Sequence, residues 1–234
     1  MADFVESARG ILSQAQRRME ATANNVANLT TPGFKSQRLY SDVSAEANVR
    51  APETLLRERL DLDQGRLTKT NSKLDLAVSG PGMFRLRGAD GSLAYTRSGH
   101  FKLEDGRVVN AQGFALQAAD GSDLVVPNDQ VDVLSDGTVT DKGQAIAKLA
   151  LYQPAAGTGV EALGGSLFAI PGGSAEEVAE PQVRQGMVED SNVSLADEMV
   201  SMMDAIRQAE GGARLVQTYD DLMGRAISAF GGSK

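Results

Sequence analysis

The sequence predicts an α+β protein. A helix at each end pairs into a coiled-coil-like stem, and the middle forms an all-β, antiparallel domain that is barrel- or sandwich-like. Three observations predict this. At the N-terminal end, Val5, Leu12, Met19 and Val26 recur every seven residues, with Ala8, Ala15, Thr22 and Leu29 in the companion positions. At the C-terminal end, Leu195, Met202, Ala209, Val216, Met223 and Phe230 do the same, with Met199, Ile206, Ala213 and Ile227 between them. In the middle, the pairs Asp90-Gly91, Asp105-Gly106, Asp120-Gly121 and Asp136-Gly137 recur at intervals of 15, 15 and 16 residues. A seven-residue apolar repeat is a narrow seam that faces another helix. Asp-Gly favours a tight hairpin turn of type I′. A narrow seam is an assembly surface, so the pattern points to a protein that builds rather than one that transforms.

In order along the chain, residues 3–30 read as one helix whose seam is rich in Ala, which permits close helix approach. Thr30-Thr31-Pro32-Gly33 ends it, because Pro32 disfavours helix at the residue before it. Asn24, Asn25 and Asn28 crowd the last turns although Asn is a weak helix former. They either fray the helix ahead of the turn or hydrogen-bond neighbouring subunits. Residues 36–69 read as an extended connector, with a helical turn or two over Glu53 to Leu62 after Pro52.

Residues 70–184 read as the β domain with a loop-rich return. Its short β-prone runs are Met83 to Leu86, Leu93 to Thr96, His100 to Leu103, Arg107 to Val109, Phe114 to Gln117, Leu124 to Val126, Val131 to Leu134 and Ala145 to Tyr152. Pro171-Gly172-Gly173 marks a turn. The helical regime returns near residue 185, and Ser194 followed by Asp197 and Glu198 resembles a capping box. Gly211-Gly212 marks a bend or a tight helix crossing.

Composition removes most chemistry. The chain of 234 residues has no Cys and one His, His100, so disulfides, thiolate metal sites and histidine-based triads are excluded. The spaced Asp residues lack the dense oxygen ligands of a calcium loop. Ser79-Gly80-Pro81-Gly82 lacks the following Lys-Ser or Lys-Thr of a phosphate loop. The net charge of −8 argues against a nucleic-acid partner. No apolar run approaches the ~20 residues of a membrane span, and the first residues lack the pattern of a secretory signal. No catalytic residue, cofactor, metal, small-molecule substrate or direct membrane insertion is expected.

Three segments carry a resemblance. Ala23-Asn24-Asn25-Val26-Ala27-Asn28-Leu29-Thr30-Thr31-Pro32-Gly33-Phe34-Lys35 resembles the N-terminal signature of the bacterial flagellar rod and hook family, a helix with Asn-Asn-x-Ala-Asn and then a Thr-x-Gly-Phe-Lys turn. Ser79-Gly80-Pro81-Gly82-Met83-Phe84 and Tyr95-Thr96-Arg97-Ser98-Gly99-His100-Phe101 are similar to the block that opens that family's β domain. Gln185-Gly186-Met187-Val188-Glu189-Asp190-Ser191-Asn192-Val193 is similar to its entry into the C-terminal helix. Met83, His100 and Gly211-Gly212 depart from the family pattern and bear on local packing.

The resemblance implies a structural subunit of the flagellar drive shaft. It stacks helically around an export channel, with residues 1–35 and 185–234 forming the inner tube and transmitting torque. It implies as partners the subunit itself, other rod subunits and the flagellar type III export apparatus, and as location the periplasmic rod of the basal body, reached without a cleaved signal peptide. Length favours the proximal rod subunit, with the distal one as the alternative; an oligomeric coiled-coil-based binding module is the rival from another class. The residues expected at the assembly interface are Val5, Leu12, Met19, Asn24, Asn25, Val26, Asn28, Leu195, Met199, Met202, Ile206, Val216 and Met223. Thr31, Gly33, Phe34 and Lys35 form the family turn.

Overall fold

The computed structural model describes residues 2–42 and 55–231, and the side chains of residues 2–5, 41–42, 55–57 and 229–231 fall outside the description. The readings of Val5, of Phe230 and of Pro52-Glu53 lie there. The described chain divides into two units. Unit 1 holds the terminal helices with residues 39–42 and 55–58; unit 2 holds residues 28–38 and 59–193. The segments leaving the first helix and entering the second therefore belong with the β-strands.

In unit 1, α1 spans Ala2–Ala27 and α2 spans Leu195–Gly231. The first ends where Thr31-Pro32-Gly33 turns the chain, with the Thr31 N–H donating to the Asn28 carbonyl at 3.1 Å. Ser194 caps the second: the Glu198 N–H donates to its carbonyl at 3.0 Å and the Asp197 N–H to its Oγ at 3.4 Å. Asp197 and Glu198 place negative charge in the first turn, where the helix dipole favours it. The helix begins at Leu195, where the Ser194 capping box places it; the helical regime does not return near 185, because Val183–Gln185 and Met187–Glu189 are strands. Backbone pairing with Leu76–Val78 and Leu67–Lys69 takes these segments.

The stretch read as a connector also contains pairing. Leu55–Leu60 is a strand against Gln37–Asp42, not a helical turn, so tertiary pairing overrides a weak local preference.

Unit 2 is antiparallel, as expected, but none of its sheets closes into a barrel or stacks as a sandwich. The largest has nine strands. Its central strand, Met83–Arg87, pairs along one side with Leu93–Thr96 and on the other with both Ala115–Leu116 and Leu151–Pro154. One strand shared by three partners makes the sheet branch, and a branched sheet cannot keep the continuous register that barrel closure needs. Glu161–Gly164 and Lys102–Glu104 end the main path as separate edges. A three-stranded sheet follows from Asp132–Val133, Thr138–Asp141 and Gln144–Lys148. The run Ala145 to Tyr152 is thus two strands in two sheets. The core beneath holds Leu76, Val78, Phe84, Leu86, Leu116, Leu149 and Leu151, with Phe84 and Phe101 edge to face at 5.6 Å.

The Asp-Gly turns are of two kinds. Only Asp105-Gly106 has both residues at positive φ, 50° and 80°, as a type I′ turn requires. At Asp90-Gly91, Asp120-Gly121 and Asp136-Gly137 only the Gly is left-handed, at 82°, 83° and 85°. These are type I turns followed by a glycine bulge. Gly91, Gly121 and Gly137 donate back three residues, to Gly88, Ala118 and Leu134. In each the Asp carboxylate accepts from the hydroxyl and N–H two residues on, at Ser92, Ser122 and Thr138.

Candidate assembly site and buried charge cluster

The helix pair in unit 1 is antiparallel. Asn25 Nδ2 donates to Glu198 Oε1 at 2.9 Å, Gln208 Nε2 donates to Gln14 Oε1 at 3.1 Å, and Gly212 packs on Ile11 and Leu12. On α2 the shielded positions are Glu198, Met202, Ala205, Ala209, Gly212, Val216, Tyr219 and Met223, with Gln208 beside them. Their spacing alternates four and three, the seam of a coiled coil. On α1 the buried residues are Ala8, Ala15, Thr22 and Asn25, and the small side chains of the first three let the backbones approach. A Cβ on Gly212 would lie 3.1 Å from Ile11 Cγ2 and 3.2 Å from Leu12 Cγ and Cδ2, so of the two glycines Gly212 marks a tight crossing.

The residues expected at the interface divide between two faces. Met19, Val26, Met202, Val216 and Met223 are half-buried in the pair. Leu12 lies on its rim, 36% exposed. Leu195, Met199 and Ile206 flank that seam on α2 and are exposed, together with Val200 and Met203. The companion row of the α2 seam is therefore Glu198, Ala205, Gly212 and Tyr219, not Met199, Ile206 and Ala213. Among the asparagines, Asn25 is buried against Glu198, Asn24 faces outward, and Asn28 Oδ1 accepts from Thr31 Oγ1 at 3.1 Å.

Unit 2 contains a charge cluster where the segments quoted above converge. Lys35, in the turn after α1, donates from Nζ to Glu189 Oε1 at 2.6 Å and to the Asp63 carbonyl at 2.6 Å. Arg97 donates from Nη1 to Glu189 Oε2 at 3.1 Å and from Nη2 to the Gly80 carbonyl at 2.7 Å. The Gly65 N–H adds a bond to Glu189 Oε1 at 2.9 Å. The side chains of Lys35 and Glu189 are fully shielded and that of Arg97 is 6% exposed. Burial pulls the Lys35 ammonium below its ordinary pKa, opposed by the attraction of Glu189; Arg97 is lowered by the same cause against the same opposition.

The backbone is built to admit this cluster. Gly33 has φ +68°, and a Cβ there would lie 2.1 Å from the Ser98 nitrogen, so only glycine fits. Its N–H donates to the Glu189 carbonyl at 2.7 Å. Asn192 accepts from the Ser36 N–H at 2.8 Å and donates to the Asp61 and Asp63 carbonyls. Phe34 is buried beside them. Sequence reasoning quoted Arg97, Glu189 and Asn192 in motifs but gave them no role. No single motif marks them: Arg97 stands between Thr96 and Ser98, and Glu189 is followed by Asp190.

Residues 6–35 match the family described as flagella basal body rod protein. Residues 77–141 match the flagellar hook protein FlgE/F/G D1 domain, and residues 184–229 the C-terminal region of the flagellar basal body rod FlgEFG proteins. A flagellar basal-body rod protein FlgG of Buchnera aphidicola is 30% identical over 247 aligned positions, covering 91% of this chain and 94% of the relative. The chain belongs to the flagellar basal-body rod protein family. The rod protein FlgG of Borreliella burgdorferi is 29% identical, covering 94% of this chain and 95% of its own. The rod protein FlgF of Escherichia coli is 27% identical, with 97% of each chain covered. Membership makes this a structural subunit of the flagellar basal-body rod and not an enzyme. Each matched region contributes one member of the charge cluster: Lys35, Arg97 and Glu189 in turn. No helix among the described residues is long and apolar enough to cross a membrane.

Proposed function

We propose that this subunit polymerises as an open helical tube around an export channel in the periplasm and transmits torque through its terminal helices. The observation that carries the reading is the apolar row of α2, Leu195, Met199, Met203 and Ile206, which stays exposed among the described residues beside the seam that α1 occupies. An exposed apolar row of this kind marks a contact surface. If its complement lies elsewhere on a second copy, the contact does not close and a filament results. Met19, Asn25, Val26, Met202, Val216 and Met223, with Leu12 at the rim, serve this surface by setting the helix pair that presents it; Asn24 and Asn28 are assigned to contacts between copies. The partners are other copies, the rod subunits above and below, and the type III export apparatus that delivers the chain.

Within the rod we place the subunit in the proximal segment. The end-to-end correspondence with the Escherichia coli FlgF protein, 97% of both chains, supports that position. The second reading is the distal segment, favoured by the slightly higher identity to the FlgG proteins, 29% and 30%. Deleting the gene and imaging basal bodies tests the function: a truncated rod is expected, and a full-length rod overturns the assignment. In the same strain, a rod that stops nearer the membrane than in a strain lacking the distal subunit supports the proximal position.

A further inference from the structure

Three chain segments that are remote in sequence reach one buried carboxylate. Glu189 Oε1 accepts from Lys35 Nζ and the Gly65 N–H, Oε2 accepts from Arg97, and the Glu189 carbonyl accepts from Gly33. Lys35 and Glu189 are 154 residues apart, Arg97 and Glu189 92. Among the described residues none of the three charges has a full counter-charge at hydrogen-bond distance outside the cluster, although Asp61, bound to Arg38 at 3.0 Å, adds a weaker attraction for Lys35. A fully buried ion left without its partners is strongly disfavoured. Partial assembly of this site is therefore the costly state, and the complete site and the fully hydrated site are the two that persist.

We propose that Glu189 is a latch: it makes the docking of residues 33–36, which leave α1, and of the strand Met187–Glu189, which leads to α2, a single event on Arg97. The N-terminal and C-terminal segments are then fixed in unit 2 together or not at all. Gly33 and Asn192 extend the latch into the backbone. Ser36 is held by Asn192 and Asp190 by the Arg66 carbonyl, so each segment also carries backbone bonds that do not involve the charged side chains.

Those backbone bonds provide the test. In the full-length chain, native-state hydrogen exchange is read at the amides of Gly33, Ser36, Gly65 and Asp190. The variants are Lys35→Met, which alters one segment, and Arg97→Gln, which alters another. A shared latch requires each variant to speed all four amides by a common factor of at least tenfold. Lys73→Ala, which removes the exposed pair with Asp132 and the bond to the Gln130 carbonyl, leaves the four unchanged. Acceleration confined to Gly65 in Lys35→Met, or different subsets accelerated by the two variants, overturns the proposal. Should Arg97→Gln not fold, Lys35→Met decides alone, because it leaves Glu189 and Arg97 as a balanced pair.

Discussion

Lys35 and Arg97 share one carboxylate, and that count fixes which substitution the buried site tolerates. Glu189→Gln leaves two cations fully or nearly buried with no counter-charge, an expected loss of about 3–5 kcal/mol. Lys35→Met keeps the aliphatic stem and leaves a one-to-one pair, so only the bonds to Glu189 and the Asp63 carbonyl are lost, about 1–3 kcal/mol. Denaturant unfolding of the two variants checks the order; equal losses mean that charge balance is not what the site requires. The exposed turns give a different pH signature. The Asp90 and Asp120 carboxyls are held below the ordinary range, first by the Ser92 and Ser122 hydroxyls; Asp136 is held down first by the Thr138 N–H. A folded pKa below the unfolded value of about 3.9 means the contribution is present above that pH and lost as pH falls through the folded value. Replacing all three by Asn keeps an acceptor for each turn but removes the titration. Acid unfolding is expected to be shallower below about pH 4 in the triple variant than in the parent.

At the scale of elements, the two adjacent glycines of α2 separate propensity from packing. Gly211 is exposed with open space at its Cβ position, so Gly211→Ala is expected to stabilise the helix pair by about 1 kcal/mol. Gly212 is pressed on Ile11 and Leu12, and Gly212→Val forces the helices apart, an expected loss of about 1–3 kcal/mol. Thermal melts followed at the helical band distinguish them, and a Gly212→Val protein as stable as the parent removes the tight crossing. The helices themselves were legible because a seven-residue repeat survives along each one. What the repeat did not reveal was which companion row faced inward. Met199 and Ile206 are larger than Ala205 and Gly212, yet the small residues won the seam because the backbones come close. Strands such as Leu93–Thr96 and Arg107–Val109 were legible beside the Asp-Gly turns, while the run Leu124 to Val126 makes only an isolated bridge, Arg107 to Val125. Glu161–Gly164 and Met187–Glu189 were not legible, because four exposed residues or a three-residue run carries too little alternation to read. The charge cluster escaped because Lys, Arg and Glu usually sit at the surface, and only the fold brings positions so far apart in sequence together.

For the whole molecule, the two faces of α2 separate folding from assembly. Residues on the paired side, such as Met202, are half-buried in the seam; residues on the free side, such as Met203, 52% exposed, lie outside it. Met203→Asp is therefore expected to leave the melting transition within about 0.5 kcal/mol of the parent, as exposed substitutions do. It is also expected to bury an unpaired carboxylate at every repeat of a polymer, each at a cost of several kcal/mol. Met202→Asp differs: it disturbs the half-buried seam and lowers helix-pair stability before any assembly begins. Sedimentation of concentrated protein reads the difference. The parent forms polymers of unlimited size, Met203→Asp stays a folded monomer, and Met202→Asp loses helical signal as well. A parent that stops at one fixed oligomer favours the coiled-coil binding module over the rod. A Met203→Asp protein that still polymerises, in a strain that still swims, moves the assembly surface off the free face of α2.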